Sequence, residues 1–218
     1  MLSFREKDQA AEREVAAFLD EHLYSKNDIF NEFIRTDDRD EQISGSDVLL
    51  STSDGLLHRS VVDEKVAIRY ANTNLQSFAL EFSFINKIGK EMCGWFLDHT
   101  KKTDYYMFGW IPKADIPYDK EKKCWDVYSV NRYNIKEFDW ALVSRKKIMK
   151  FLEENGWTLD KIVRQGQKIR ENECTKTTDY VDNVSFRYSP KLFEKPINIL
   201  LKKQTYFDLA EHSGKISL

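Results

Sequence analysis

A group of acids and one lysine has the residue types and spacing of a metal-binding site. Asp63, Glu64 and Lys65 lie within the apolar segment 61–67, and Asp47 comes sixteen residues before Asp63. If 61–67 is a β-strand, Asp63 and Lys65 project from the same face about 6–7 Å apart, because side chains alternate along a strand. Charged side chains in an apolar strand are costly to bury without partners. A divalent cation would be such a partner.

The cation that this donor set predicts is Mg²⁺, with Mn²⁺ as a substitute. Mg²⁺ prefers oxygen ligands and usually takes one or two carboxylates together with water and phosphate oxygens. Asp47 and Asp63 would share one ion if the strand that begins at Asp47 pairs beside 61–67. Lys65 would then orient or deprotonate a water molecule and offset charge on a phosphoryl oxygen.

The surrounding pattern predicts a helix followed by a run of strands. Residues 5–23 have apolar side chains at helical spacing, including Val15 and Phe18. The segment 61–70 is apolar on both faces, which is typical of a central strand. The last two strands are expected to form a hairpin around the loop 99–102. The predicted strands are 47–52, 61–70, 77–84, 93–98 and 103–111.

The second half of the chain predicts helices. Ser144 is a candidate N-cap for a helix over 145–155, which Gly156 would end, and Thr158 can cap a second helix over 159–171. This order predicts an α/β or α+β fold with a mixed central β-sheet flanked by helices. We expect a core at 1–111 and a C-terminal helical extension of the same domain at 112–218.

Composition excludes several protein classes. The chain has 218 residues, of which 41% are hydrophobic and 13% aromatic, so it is neither disordered nor of low complexity. We find no apolar run near the ~20 residues that a membrane helix needs, and no signal-peptide pattern. Cys93, Cys124 and Cys174 show no zinc-ligand spacing, which favours reduced thiols. We therefore expect a cytoplasmic protein with no membrane partner.

Basic charge is concentrated in the predicted C-terminal helices. Residues 1–109 carry 13 Lys and Arg against 20 Asp and Glu, whereas residues 110–218 carry 21 against 16. A polyanion would be attracted to the second half. The residues predicted to contact nucleic acid are Arg145, Lys146, Lys147, Lys150, Lys161, Arg164 and Lys168.

The residues around Lys65 resemble the PD-(D/E)xK nuclease superfamily. Two hydrophobic residues, an acid, a variable residue and a lysine match Val61 to Lys65, and Asp47 matches the acid that opens the preceding strand. Ser46 stands where the name of the motif has proline. The resemblance covers about the first 110 residues and implies a restriction-endonuclease-like core.

The resemblance also implies an activity and a set of site residues. It implies a divalent-metal-dependent nuclease, with the metal held by Asp47, Asp63 and the main-chain carbonyl of Glu64, and with Lys65 as a catalytic residue. Many members have a further acid on the first helix. Position alone leaves Glu12 and Glu14 open for that role, and we name Glu14 as the catalytic candidate.

Several alternatives remain open at this point. If the strand register differs by one residue, Glu64 instead of Asp63 would point toward the site. DNA is the expected substrate, with RNA as the alternative, and a homodimer is expected if duplex strands are cut by one site per chain. A different class of function is a non-catalytic module that binds nucleic acid or protein on a nuclease-like scaffold.

Overall fold

A computed structural model describes residues 4–36, 44–172 and 183–218 of the chain. Helix α1 spans Phe4–Leu19 and continues as a π-helical turn at Asp20–Tyr24. The later helices are α2 (Arg145–Glu154), α3 (Leu159–Glu171) and α4 (Lys203–Leu209). The strands are β1 (Phe30–Arg35), β2 (Val48–Thr52), β3 (Ser60–Val66), β4 (Ser77–Ile85), β5 (Glu91–Cys93), β6 (Tyr105–Ala114), β7 (Tyr118–Asp119), β8 (Cys124–Trp125), β9 (Ile135–Ser144), β10 (Val184–Tyr188), β11 (Ile197–Lys202) and β12 (His212–Ser217).

The chain forms two compact units that alternate along the sequence. The first unit comprises Met1–Leu75, Thr103–Ser144 and Ala210–Leu218, and the second comprises Gln76–Lys102 and Arg145–Leu209. This division differs from the boundary at residue 111 expected from the sequence, which falls inside β6. The predicted C-terminal helical extension also contains long strands, among them β9 and β11.

The first unit is built on a six-stranded mixed sheet. Its strand order is β1-β2-β3-β6-β9-β12, and every pair is antiparallel except β3 and β6. Strand β3 therefore lies in the interior of the sheet, as its two-sided apolar pattern predicted. Helix α1 packs its apolar face on this sheet, with the rings of Phe18 and Phe138 5.4 Å apart.

The second unit has its own antiparallel sheet of four strands, in the order β10-β11-β4-β5. Helix α3 approaches this sheet closely at Gly166, where an added Cβ would lie 2.7 Å from the ring of Phe82. Trp157 and Phe186 extend the same core, with ring centroids 4.8 Å apart. None of the helices in the described ranges is both long and apolar enough to cross a membrane.

The mixed α+β fold with a mixed sheet and helices is confirmed, and helices α2 and α3 lie where the capping signals placed them. Thr158 caps α3 by accepting the N–H of Lys161, and Gly156 follows α2 with a φ of 75°. The predicted hairpin of 93–98 with 103–111 is wrong. β5 pairs with β4, whereas β6 pairs with β3 and β9. The predicted strand 77–84 forms as β4, but in the four-stranded sheet. The restriction-endonuclease-like core therefore stays a prediction.

Candidate functional site

Asp47 is positioned by the turn before β2 and by the pairing of β2 with β3. Gly45 adopts a φ of 83°, a conformation that glycine tolerates best, and its carbonyl accepts the Thr103 hydroxyl at 2.8 Å. The Asp47 N–H donates to the carbonyl of Val62 at 3.0 Å. The Asp47 carboxylate accepts the N–H of Glu64 at 2.7 Å. These bonds hold Asp47 beside the middle of β3.

Asp63 and Lys65 form an ion pair on one face of β3, as the alternation of the strand predicted. The side chain of Asp63 is 7% exposed and that of Lys65 is 26% exposed, so the pair is largely shielded from water. We call Asp47, Asp63 and Lys65 the open face of β3. It contains two carboxylates and a single ammonium group.

The charges of the open face affect each other strongly. Burial and the negative charge of Asp63 raise the pKa of Asp47 to about 7, even though Lys65 acts in the opposite direction. Burial alone would lower the pKa of Lys65, but the carboxylates of Asp63 and Asp47 raise it above its usual value. Lys65 is therefore protonated at neutral pH. A deficit of positive charge remains beside Asp47.

Of the two candidate acids on the first helix, Glu12 and Glu14, Glu12 is the one within electrostatic reach of this face. Desolvation and the charge of Asp8 raise the pKa of Glu12, while the positive charge of Lys65 lowers it. Glu14 instead accepts the Arg132 Nε at 3.0 Å, and this bonding lowers the pKa of Glu14. Residues two apart on a helix point in different directions. The electrostatic effect of Lys65 on Glu12, together with the bonding of Glu14 to Arg132, favours Glu12 over the predicted Glu14 as the first-helix acid of this group.

Glu64 points to the opposite face of β3. Its carboxylate accepts the Tyr24 hydroxyl at 2.8 Å and the Arg35 Nη1 at 2.7 Å. Arg35 also pairs with Asp20 and donates to the carbonyl of Ala16 at 3.1 Å. We call Glu64, Arg35, Tyr24 and Asp20 the closed face.

The position of Glu64 on the closed face shows which of the two neighbouring acids, Asp63 or Glu64, lies on the same side of β3 as Lys65. Asp63 is the acid that faces Lys65, and the side chain of Glu64 is occupied elsewhere. Sequence reasoning missed this second cluster. Its only signals were the apolar pairs Ile29-Phe30 and Phe33-Ile34, which mark β1 and so place Arg35 at the end of a strand.

The donor set of the open face suits a hard cation. Its oxygens come from two carboxylates, the number that Mg²⁺ usually takes from a protein. Within residues 4–36, 44–172 and 183–218, no three His, Cys, Asp or Glu side chains are arranged to hold a metal ion. A site here would therefore depend on Asp47, Asp63 and main-chain or solvent oxygens. The main-chain carbonyl of Glu64 stays a predicted ligand.

The predicted nucleic-acid residues all lie on α2 and α3 of the second unit. Arg145 is half-buried and donates to the carbonyls of Phe96 and Asp98, at 3.0 and 2.8 Å. Lys161 donates to the carbonyl of Gly156 and lies over the ring of Trp157. These two cations therefore have structural partners. The exposed members of the predicted set are Lys146, Lys147, Lys150, Lys161, Arg164 and Lys168.

Comparison with known proteins gives no match: no family model, no curated protein and no solved structure is similar to the chain. The function is therefore argued from the geometry of the open face.

Proposed function

We propose that this chain is a divalent-metal-dependent nuclease that hydrolyses phosphodiester bonds in DNA. The observation that carries the proposal is the meeting of Asp47, Asp63 and Lys65 on one shielded face of an interior strand. Strongly shifted pKa values caused by burial and by like charges are more frequent at functional sites than elsewhere. The raised pKa of Asp47 fits this description.

The residues that would hold the cation are Asp47, Asp63 and the main-chain carbonyl of Glu64. When bound, Mg²⁺ or Mn²⁺ lowers the pKa of a coordinated water and neutralises charge on a phosphoryl oxygen. The fit is electrostatic as well as chemical. Two carboxylates with one ammonium leave negative charge uncompensated, and Asp47 would ionise more readily beside a cation.

Lys65 has a different task from the carboxylates. Because its pKa is raised by Asp63 and Asp47, it holds its proton at neutral pH. A protonated lysine in a shielded site donates hydrogen bonds to a phosphate oxygen and stabilises the charge that develops there. Of the two roles expected from the sequence, the structure favours orienting water and offsetting charge over deprotonating water.

The test is cleavage of supercoiled and single-stranded circular DNA in Mg²⁺, Mn²⁺ or EDTA. We expect metal-dependent nicking by the wild type and a loss of about 10²–10³-fold in Lys65→Ala, the usual cost of removing a preorganised charge donor. Lys26→Ala, an exposed lysine of the same unit, is the matched control and should cleave normally. Full activity in Lys65→Ala would reject this mechanism.

A second candidate function is a non-catalytic module that binds nucleic acid. Two observations favour it: the described part of the chain lacks a three-ligand metal cluster, and the second unit carries 18 Lys and Arg against 12 Asp and Glu. Such a module would bind DNA equally well in EDTA and cleave none of the substrates. A homodimer, expected from the sequence, stays a prediction under either function.

A further inference from the structure

Two loop tips of the second unit present apolar side chains between lysines. The β4–β5 turn reads KIGK over residues 87–90, and the β10–β11 loop includes KLFEK over residues 191–195. Ile88 is 84% exposed, Leu192 53% and Phe193 75%. We call these two segments the loop-tip surface. Large apolar side chains grouped at the surface in this way usually mark a binding site.

The two tips are neighbours and each is internally hydrogen-bonded. The N–H of Ile85, the last residue of β4 before the turn, donates to the carbonyl of Glu194 at 2.6 Å, which joins the end of β4 to the β10–β11 loop. The Asn86 side chain accepts the N–H of Ile88 at 3.1 Å and the N–H of Lys90 at 2.9 Å. Lys195 donates its N–H to the carbonyl of Leu192 at 3.1 Å. The exposed apolar side chains are therefore held outward by ordered turns.

The charge around the tips favours an anionic partner. Lys87, Lys90, Lys191 and Lys195 are all exposed, and none of them forms an ion pair with a side chain in the described residues. The adjacent Glu91 is paired with Arg170, whose Nε lies 2.8 Å from its carboxylate. Glu194 is the only acid within the two tips. Four ammonium groups thus surround the apolar side chains.

We propose that the loop-tip surface is a wedge that enters a groove of duplex DNA, with Ile88 and Phe193 against the bases and the four lysines on flanking phosphates. The inference rests on the proposed function, which makes DNA the substrate. Apolar side chains such as Phe, Leu and Ile are inserted between base steps by proteins that kink DNA, and neighbouring cations hold the backbone.

The distribution of charge in the second unit favours DNA over a lipid surface. The unit has a net charge of +6, and exposed cations also lie on α2 and α3, among them Lys146 and Lys168. Insertion of the tips into a bilayer would draw mainly on the cations of the tips themselves. The phosphates of a duplex attract all exposed cations of a basic protein unit, so the charge beyond the tips favours DNA.

The test measures binding of a duplex that contains 2-aminopurine, in EDTA so that no cleavage occurs. We expect the base-analogue fluorescence to rise on binding by the wild type. Ile88→Ser combined with Phe193→Ser should abolish that rise and weaken binding by about tenfold or more, since two apolar side chains lose their burial. Tyr133→Ser, 78% exposed and in the first unit, is the control and should bind as the wild type does.

The lysines give an independent readout. Replacing Lys87 and Lys191 by Gln should lower the slope of log affinity against log salt by about 2, because two phosphate contacts are lost. Unchanged affinity and fluorescence in the Ser double variant, with its melting temperature retained, would overturn the inference. So would a wild type that binds no DNA, or one whose tips are needed only for binding phosphatidylserine vesicles. DNA binding that depends on the tips, without metal-dependent cleavage, would reject the proposed nuclease activity but support the proposed insertion of the tips into DNA.

Discussion

Strand β3 carries a buried charged cluster on each face, and the two clusters differ in how far their charges are balanced. On the closed face, the carboxylate of Glu64 is bonded by Arg35 and by the Tyr24 hydroxyl. On the open face, Asp63 is paired with the ammonium group of Lys65, which also interacts electrostatically with Asp47. The two clusters do not differ in burial, since the side chain of Glu64 is 9% exposed and that of Asp63 is 7% exposed.

The neighbours of each carboxylate explain the difference. Burial keeps the pKa of Glu64 above its usual value, although the charge and hydrogen bonds of Arg35 offset part of that rise. Burial also raises the pKa of Asp47, and the negative charge of Asp63 raises it further. A cluster whose acceptors are filled by the protein stabilises the fold. A cluster that keeps unmatched negative charge is suited to a bound cation.

The closed face should be the more sensitive of the two to loss of its cation. Arg35→Met leaves the buried Glu64 carboxylate without a positive partner, and breaking a buried pair from one side costs about 3–5 kcal/mol of unfolding free energy. Urea denaturation at pH 7 measures this. The control is Arg132→Met, whose partner Glu14 is partly exposed and whose loss should be much smaller. Equal losses in the two variants would mean that the closed face has no special structural role.

The open face should instead gain stability when one acid is neutralised. The pKa of Asp47 is near 3.8 when unfolded and about 7 when folded, so ionisation destabilises the fold progressively as pH rises between these values. Asp47→Asn keeps an acceptor for the N–H of Glu64 and removes the charge. We expect it to be more stable than the metal-free wild type at pH 8, by on the order of 4 kcal/mol. The two should be equally stable near pH 4.

The same measurement can also reject the prediction that the open face keeps unmatched negative charge. If the unfolding free energy of Asp47→Asn falls below that of the wild type at pH 8, then Lys65 already balances the acids. The open face would then be as fully compensated as the closed face. Asp115→Asn, which changes an exposed acid of the same unit, reports the general effect of removing one negative charge.

The hydroxyl of Tyr24 provides a finer test of the closed face. Tyr24→Phe removes one donor to Glu64 but leaves Arg35 in place, so we expect a loss of about 1.5 kcal/mol, typical of a hydrogen bond to a charged group. The loss is measured by thermal or urea unfolding. DNA cleavage by the variant should be unchanged, since Tyr24 does not face Asp63 or Lys65. Loss of cleavage with retained stability would show that the two faces are coupled.

The smallest expected effect distinguishes the two candidate acids of α1, Glu12 and Glu14. Glu12→Gln should reduce metal-dependent cleavage by roughly three- to tenfold. Removing this one charge changes the electrostatic interaction energy at Lys65 by less than about 1.4 kcal/mol, which corresponds to a factor of ten. Glu14→Gln should leave cleavage unchanged and only disturb the pair with Arg132. Cleavage rates at several Mg²⁺ concentrations measure both variants. The reverse outcome would restore Glu14 as the first-helix acid.

The sequence predicted much of the open face because its geometry is mostly local. Asp63 and Lys65 are two residues apart on one strand, so alternation alone places them together. Asp47 required one strand pairing across a short connection, which the turn signals at 53–55 supported. By contrast, choosing Glu12 over Glu14 depends on how α1 packs on the sheet. The partner Arg132 is 118 residues from Glu14, and no local pattern marks it.

The fold was predicted less fully than the open face, because much of it depends on contacts between residues that are far apart in the sequence. The mixed α+β class and helices α2 and α3 follow from local periodicity and capping. The strand predicted at 77–84 forms within β4, but it pairs with β11 in a separate sheet. Of the strand predicted at 93–98, only Cys93 lies in a strand, β5, which pairs with β4. Adjacent strands in sequence usually pair, which favoured the hairpin that did not form. Local patterns in a single sequence do not predict which strands pair when those strands are far apart in the chain.

The proposed function requires that the open face of β3 bind a divalent cation. Calorimetric titration of Mn²⁺ into the metal-free protein at pH 8, where Asp47 is ionised, tests it most directly. We expect binding by the wild type, weak or no binding by Asp63→Asn, and normal binding by Asp115→Asn. A wild type that binds no Mn²⁺, or an Asp63→Asn protein that binds it equally well, would show that the open face is not a cation site.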